Sequence, residues 1–330
     1  MPTPSAPSPT LSLAHSPDPD DVFMWWPLTG MVNLDGTPFP PPRGLPALDT
    51  GRLAFRSVPA DIEALNRRAR AGHDLFDITA LSVRTWADVA GRYVITRCGA
   101  SFGEGFGPKI VRRADQSNDP VTVACEGCLA KPGLRFAVPG FGTTAFLLLS
   151  LVMREVGAPP EWRARCTEMP FDQIIPAVAQ RRADVGLVIH EGQLTFSDAG
   201  LREVLDTGEW WRDRTSLPLP LGVNAVRRDL DQRFGPGTRA RVAELLAESV
   251  SFATAQRERS VEYTLPWAAA NARSAGHEPP SRERVDRYCR MYVSPLTLDM
   301  GSAGKDAIRR LLAEGHAAGL CPDPGDVETI

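Results

Sequence analysis

His190 follows five apolar residues, Val185 to Ile189, in the stretch Asp184-Val-Gly-Leu-Val-Ile-His-Glu-Gly192. Imidazole has an ordinary pKa of about 6.5, which lets it take or give a proton near neutrality. A near-continuous apolar run of this length reads as a strand buried on both faces of a parallel sheet, and Glu191-Gly192 then turns the chain away. Ligands of open α/β sheets collect at the carboxyl ends of strands, so the position suits acid–base work. A histidine that merely hydrogen-bonds at a strand end is the plainer alternative, and position alone favours it. The case for chemistry rests on what surrounds His190.

Three other strand ends carry polar side chains. Leu11 to His15 reads as a strand, followed by Ser16-Pro-Asp-Pro-Asp-Asp21 and the apolar run Val22 to Leu28. Asp18 suits a helix N-cap, Pro19 the first helical position, and Asp20 and Asp21 the positive end of the helix dipole. Helix initiation explains most of this pattern, yet Ser16 or an aspartate at such an edge also stands where ligands bind. Phe76 to Val83 is another strand, ending at Ser82. Leu134 to Val138, the turn Pro139-Gly-Phe-Gly142 and an apolar helix from Thr143 to Val156 set Thr143 and Thr144 on a first helical turn. Backbone amides and hydroxyls there form an anion site, although capping alone needs only one threonine.

The elements that position these residues alternate between strand and helix. A strand near Cys166 to Met169, a helix from Phe171 to Arg182 bent near Pro176, and the strand into His190 complete a small doubly wound unit. Leu53 to Val58 is a strand and Ala60-Asp61 opens a helix through Ala71, with Ile62, Leu65 and Ala69 on one face. Tyr93 to Cys98 and Lys109 to Arg112 are short strands flanking the glycine-rich Gly99 to Gly107. No phosphate-loop lysine spacing occurs there, which argues against a nucleotide site. Trp210 and Trp211 read as packing residues, and Val223 to Arg227 as a returning strand. Helices are expected over Thr238 to Gln256, Ser281 to Tyr292 and Ser302 to Ala318, with Tyr263 and Trp267 in a less regular stretch between. His277 and His316 fall on exposed segments without evident partners, and His73 in a turn after a helix.

The chain has 330 residues, enough for two domains and a sizeable core. A net charge of −3 gives no reason to expect a nucleic-acid or membrane-surface partner. Residues 1–10 read as a disordered lead-in, neither secretory signal nor membrane span, and Gly36 to Gly51 as a Pro/Gly-rich surface loop. The longest apolar run, Ala145 to Met153, is too short to cross a bilayer, so a cytoplasmic protein is expected. Reduced thiols are the default for the six cysteines. Cys125 and Cys128 form the only close pair; no second pair follows, so no metal is expected.

Five segments occur in an order that matches a known family: His15-Ser-Pro-Asp-Pro-Asp-Asp-Val-Phe-Met24, Gly140 to Leu148, Met169-Pro-Phe-Asp-Gln-Ile-Ile-Pro-Ala177, Asp184 to Gly192, and Gly208-Glu-Trp-Trp211 through Pro218-Leu-Pro-Leu-Gly222. From about Leu11 to Leu312 the chain resembles the menaquinone-biosynthesis enzymes of the futalosine route, on the side of the family that makes 1,4-dihydroxy-6-naphthoate. The resemblance implies an α/β, two-lobed fold like type II periplasmic binding proteins, with a cleft between lobes. Residues 11–107 and 222–330 would form one lobe and 108–221 the other. It implies a lyase that splits cyclic de-hypoxanthine futalosine into 1,4-dihydroxy-6-naphthoate and a sugar-derived fragment, without metal or organic cofactor. The family's catalytic histidine falls on His190, expected to be largely neutral near pH 7 and to act as the base. Thr143 and Thr144 would hold a small-molecule carboxylate, and Ser16, Ser82 and Asp20 would close on it from the opposite lobe. One departure stands out: enzymes of this kind have Ser-Pro-Cys-Pro-Asn-Asp in the first loop, where this chain has Asp18 for the cysteine and Asp20 for the asparagine. Exchanging an amide for a carboxylate changes charge and hydrogen-bond polarity, which points to a paralogous branch. Chorismate dehydratase, which shares the fold, and a non-enzymatic solute-binding protein are the alternatives, since one architecture serves catalysis and capture alike.

Overall fold

The computed structural model describes residues 9–114, 126–276 and 278–330. Most of the expected lead-in, Cys125 and His277 lie outside the described residues. The strands are β1 (Thr10–His15), β2 (Ala54–Pro59), β3 (Ile78–Ser82), β4 (Tyr93–Ile95), β5 (Ser101–Gly103), β6 (Lys109–Arg113), β7 (Phe136–Val138), β8 (Cys166–Glu168), β9 (Val185–Val188), β10 (Leu201–Asp206) and β11 (Leu219–Arg227). They form two sheets. The first runs β2-β1-β3-β11-β4, with β5 on β11; the second runs β10-β6-β9-β7-β8. The chain passes between them twice, once from β5 to β6 and once from β10 to β11.

Strand direction decides where the loops gather. β1 lies parallel to both β2 and β3, and β7 parallel to both β8 and β9. β9 is buried at all four positions, as an inner strand of apolar residues must be. The loops after β1, β3, β7 and β9 therefore leave from the carboxyl ends of parallel strands, where α/β sheets bind ligands. The helix Thr144–Glu155 buries every residue from Thr144 to Met153. It belongs to an apolar cluster that includes Trp86, Phe102 and Val223 of the first half and Phe136, Leu187 and Trp211 of the second, so packing joins the two sheets.

Some elements differ from the sequence reading. The expected irregular stretch holding Tyr263 and Trp267 is a helix, Arg257–Ser274, with Pro266 inside it. A proline removes one rung of a helix, but here two buried faces outweigh that loss. Val261 and Ala268 join the cluster with Leu245 and Val285, while Tyr263 and Trp267 pack with Trp26 and Met31. β10 is an edge strand with a register irregularity between Glu203 and Leu205, and its charged Arg202 and Glu203 disguised it. The expected helix Phe171 to Arg182 shrinks to Ile174–Ala179 after a short 3-10 turn, and Val83–Val89 and Thr207–Thr215 are additional helices. Trp210 and Trp211 are buried packing residues, as expected. His316 has a partner, its Nδ1 lying 3.3 Å from the Cys321 carbonyl, and exposed His73 lies 3.4 Å from Asp74 Oδ2.

Candidate active site

Ser16, Asp20, Ser82, Thr143, Thr144 and His190 all line one cavity of about 100 Å³, together with Asp18, Asp21, Gln193, Asn224, Tyr288 and Tyr292. Each enters from a strand end or helix start. Ser16 to Asp21 follow β1, Ser82 ends β3, Thr143 and Thr144 follow β7, and His190 follows β9. No lysine or arginine of the described residues lines the cavity.

His190 sits in the left-handed region, φ 54°, where a side chain with a Cβ is strained. The strain turns the chain sharply out of β9 into the short turn His190–Leu194. Its Nδ1 lies 3.0 Å from Asp18 Oδ2, and Nε2 is buried without a hydrogen-bond partner in the protein. Phe171 packs edge-on against the ring, with centroids 4.8 Å apart. Burial alone would lower the imidazole pKa. The charge of Asp18, the hydrogen bond to it, and the charges of Glu191 and Asp20 outweigh burial and push it up to about 10. The surroundings thus favour the protonated ring, where a largely neutral histidine was expected. The reason is the number of carboxylates packed around one imidazole.

Those carboxylates also affect one another. Burial, then the charges of Asp21 and Asp18, pushes Asp20 up to about 7; burial likewise raises Asp21 and Glu191. Asp18 occupies the N-cap position of the helix Pro19–Thr29, but its side chain makes no cap bond. Its carboxylate instead accepts from Ser16 Oγ and faces His190. Asp21 Oδ2 takes the Ser16 amide at 2.9 Å. The capping account of Asp18 is therefore replaced by an ion pair between the two halves of the molecule.

The second rim is neutral. Thr143 is a genuine N-cap, its Oγ1 accepting from the Phe146 amide at 3.1 Å. Thr144 Oγ1 donates to the Leu221 carbonyl at 2.6 Å. With both hydroxyls engaged, the anion-binding capacity of this helix end lies in its first-turn backbone amides. Ser82 is held by Asn66, whose Nδ2 donates to Ser82 Oγ at 3.0 Å and whose Oδ1 accepts from the Ser82 amide at 3.0 Å. Asp20 Oδ2 accepts from Ser101 Oγ at 3.3 Å.

Sequence reasoning missed Asp18 as the partner of His190, and missed Gln193, Asn224, Tyr288 and Tyr292 in the wall. Signals existed for two of them. Asp18 replaces a cysteine in the matched motif, and Asn224 interrupts the apolar run Val223 to Val226. Tyr288 and Tyr292, spaced i,i+4 on the helix Arg282–Tyr292, read as ordinary core. Among the described residues no group of three or more His, Cys, Asp or Glu is arranged to hold a metal ion, and no helix is long and apolar enough to cross a membrane.

The profile of a family described as menaquinone biosynthesis matches residues 11–317. A Thermus thermophilus protein named 1,4-dihydroxy-6-naphtoate synthase is 36% identical over 316 residues, covering 95% of this chain and 97% of the relative. A crystal structure of an Archaeoglobus fulgidus protein is 34% identical, with a TM-score of 0.70 over 94% of this chain and 98% of that one. The alkanesulfonate-binding protein of Xanthomonas axonopodis pv. citri, solved with MOPS bound, gives a TM-score of 0.63 over 98% of each chain at 14% identity. That last likeness concerns the fold, which is the two-lobed architecture of periplasmic binding proteins.

Proposed function

The chain belongs to the menaquinone biosynthesis family, and from that premise we propose that it is a lyase forming 1,4-dihydroxy-6-naphthoate from cyclic de-hypoxanthine futalosine. The substrate carboxylate rests on the helix end at Thr143 and Thr144, against backbone amides and the positive end of the dipole. In its deprotonated form, His190 accepts a proton from a substrate carbon at Nε2. The electron pair left behind closes the aromatic ring as the bond to the sugar-derived fragment breaks, and that fragment leaves with the electrons of the broken bond. Asp18 holds the ring through Nδ1, fixes which nitrogen reacts, and makes the neutral imidazole a stronger base.

One observation carries this reading: Nδ1 of His190 is engaged by a buried carboxylate at 3.0 Å while Nε2 of the same ring has no protein partner, on the wall of a cavity shared with Thr143 and Thr144. The test is incubation with cyclic de-hypoxanthine futalosine followed by mass analysis. The expected result is release of 1,4-dihydroxy-6-naphthoate by the natural chain and none above background by His190→Gln. Unchanged turnover in that variant, with the fold intact by circular dichroism, overturns the role of His190. No turnover by the natural chain overturns the substrate assignment.

A further inference from the structure

Four oxygen atoms of cavity-lining side chains accept no hydrogen bond from the protein: Asp18 Oδ1, Asp20 Oδ1, Gln193 Oε1 and Asn224 Oδ1. Their residues are 1%, 7%, 5% and 1% exposed, so all four are more than nine-tenths buried. Buried polar atoms nearly always find a partner, and four exceptions on one cavity call for a common cause.

These atoms are acceptors by identity. Asn224 Nδ2 donates to the Gly99 carbonyl at 2.8 Å, which fixes the amide and turns its oxygen the other way. Gly99 takes φ 77°, and a Cβ there would collide with Asn224 and Trp25, so the carbonyl is held where the amide needs it. Gln193 Nε2 donates to Tyr292 Oη at 2.7 Å. The second oxygen of Asp18 serves His190 and Ser16, and that of Asp20 serves Ser101. The cavity thus has four open acceptors and no cationic side chain besides His190 among the described residues.

We infer that the cavity selects its ligand through hydroxyl hydrogens, with a polyhydroxylated, uncharged group of the sugar type lying against Asp18, Asp20, Gln193 and Asn224. A hydroxyl donates one hydrogen and still accepts from a neighbour such as Tyr288. An ammonium fits less well, because two of the four acceptors are neutral amides and the imidazolium of His190 already stands beside Asp18. The inference deepens the lyase reading and rests on it in one respect: there, the substrate carries the sugar-derived part and the aromatic product lacks it. Asp20 and Asn224 then decide specificity for the part of the substrate that does not become aromatic.

The experiment is calorimetric titration of the His190→Gln chain, expected to bind substrate with turnover too slow to interfere, with cyclic de-hypoxanthine futalosine and with 1,4-dihydroxy-6-naphthoate. Adding Asn224→Leu or Asp20→Leu is expected to weaken the first ligand about tenfold or more and the second less than about twofold, since a lost acceptor matters only to the ligand that donates to it. Equal weakening of both ligands, or of neither, overturns the inference. If a leucine variant fails to fold, Asp20→Asn keeps one acceptor oxygen, since the Ser101 hydroxyl can accept from the new amide as readily as it donates to the carboxylate, and is expected to hold substrate affinity within about threefold; a larger loss specific to substrate counts against the inference. If the natural chain does not turn over the substrate, the lyase reading falls separately. The same variants are then compared in thermal shift with D-ribose. Stabilisation of the natural chain that Asn224→Leu lacks supports hydroxyl selection, and no stabilisation overturns it.

Discussion

Two histidines stand at the carboxyl ends of inner strands, one in each sheet, and their surroundings shift their pKa values in opposite directions. His15 ends β1; its Nδ1 lies 2.7 Å from the Ser16 carbonyl and its Nε2 2.8 Å from Ser57 Oγ. Burial pushes it down to about 4, and neither the carbonyl nor the charge of Asp18 offsets that. His190 follows β9 and is also desolvated, but Asp18, Glu191 and Asp20 together carry it up to about 10. Topological position is shared, so position does not set the proton inventory. A histidine whose two nitrogens meet a carbonyl and a hydroxyl stays neutral and structural. One that meets a carboxylate and leaves a nitrogen over can transfer a proton.

The largest expected effect breaks the comparison at His190. His190→Gln should lower kcat by on the order of 10³-fold, within the range for loss of a general base, while His15→Gln keeps turnover within a few-fold. Comparable losses in the two variants, measured on the same substrate, would show that the difference in surroundings has no catalytic meaning. Next comes Asp18→Asn, which keeps shape and removes the charge that raises His190. Activity by the natural chain should climb as pH rises through the alkaline range, because the base acts only when deprotonated and its pKa lies near 10. In Asp18→Asn that limb should move to lower pH, and kcat at its plateau should fall about 10²-fold as the base weakens and loses its orientation. A pH–rate profile that does not move would mean that His190 and Asp18 do not act as a unit.

How much of this was legible beforehand depended on whether a neighbour in sequence or a neighbour in space mattered. His190 was readable because a nearly continuous apolar run, Val185 to Ile189, announced both its strand and its end. Thr143 was readable because a turn and an apolar helix flank it. The role of Asp18 was not: its carboxylate meets a residue 172 positions away (190 − 18) across the cleft, and the local pattern Asp-Pro-Asp-Asp accounts for a helix start without it. The charge of His190 was hidden for the same reason, since three carboxylates from two loops set it. The helix Arg257–Ser274 was obscured by Pro266 and by apolar residues on two faces, which blur a single helical stripe.

A third prediction sharpens the comparison through stability. The folded pKa of His15, about 4, lies below the unfolded value of about 6.5, so between these limits the unfolded chain binds the extra proton. The natural protein therefore loses stability as pH falls from 6.5 to 4, and His15→Gln removes that loss. Its destabilisation relative to the natural chain should shrink by up to roughly 3 kcal/mol over this window. His190 has the opposite sign. Its raised pKa stabilises fully below about 6.5, and that contribution fades as pH rises toward 10, so the penalty of His190→Gln should shrink in the alkaline direction. Urea midpoints of both variants at pH 4.5, 7 and 9.5 give the two slopes, and slopes of one sign would remove the contrast.

The smallest effect belongs to the rim without charge. Thr143 caps the helix Thr144–Glu155 through a hydroxyl that accepts from the Phe146 amide. Neither partner titrates between pH 4 and 10. Thr143→Ala should therefore cost about 1 kcal/mol of stability at every pH tested, and Thr143→Ser should restore most of it because the oxygen returns. The same alanine variant should raise KM more than it lowers kcat, since the helix start holds the carboxylate in ground and transition states alike. If the stability loss instead tracks pH as the histidine variants do, Thr143 is coupled to the acidic loop across the cleft. The threonines and the acidic loop would then be one electrostatic unit, and the neutrality of Thr143 and Thr144 would no longer set binding apart from proton transfer.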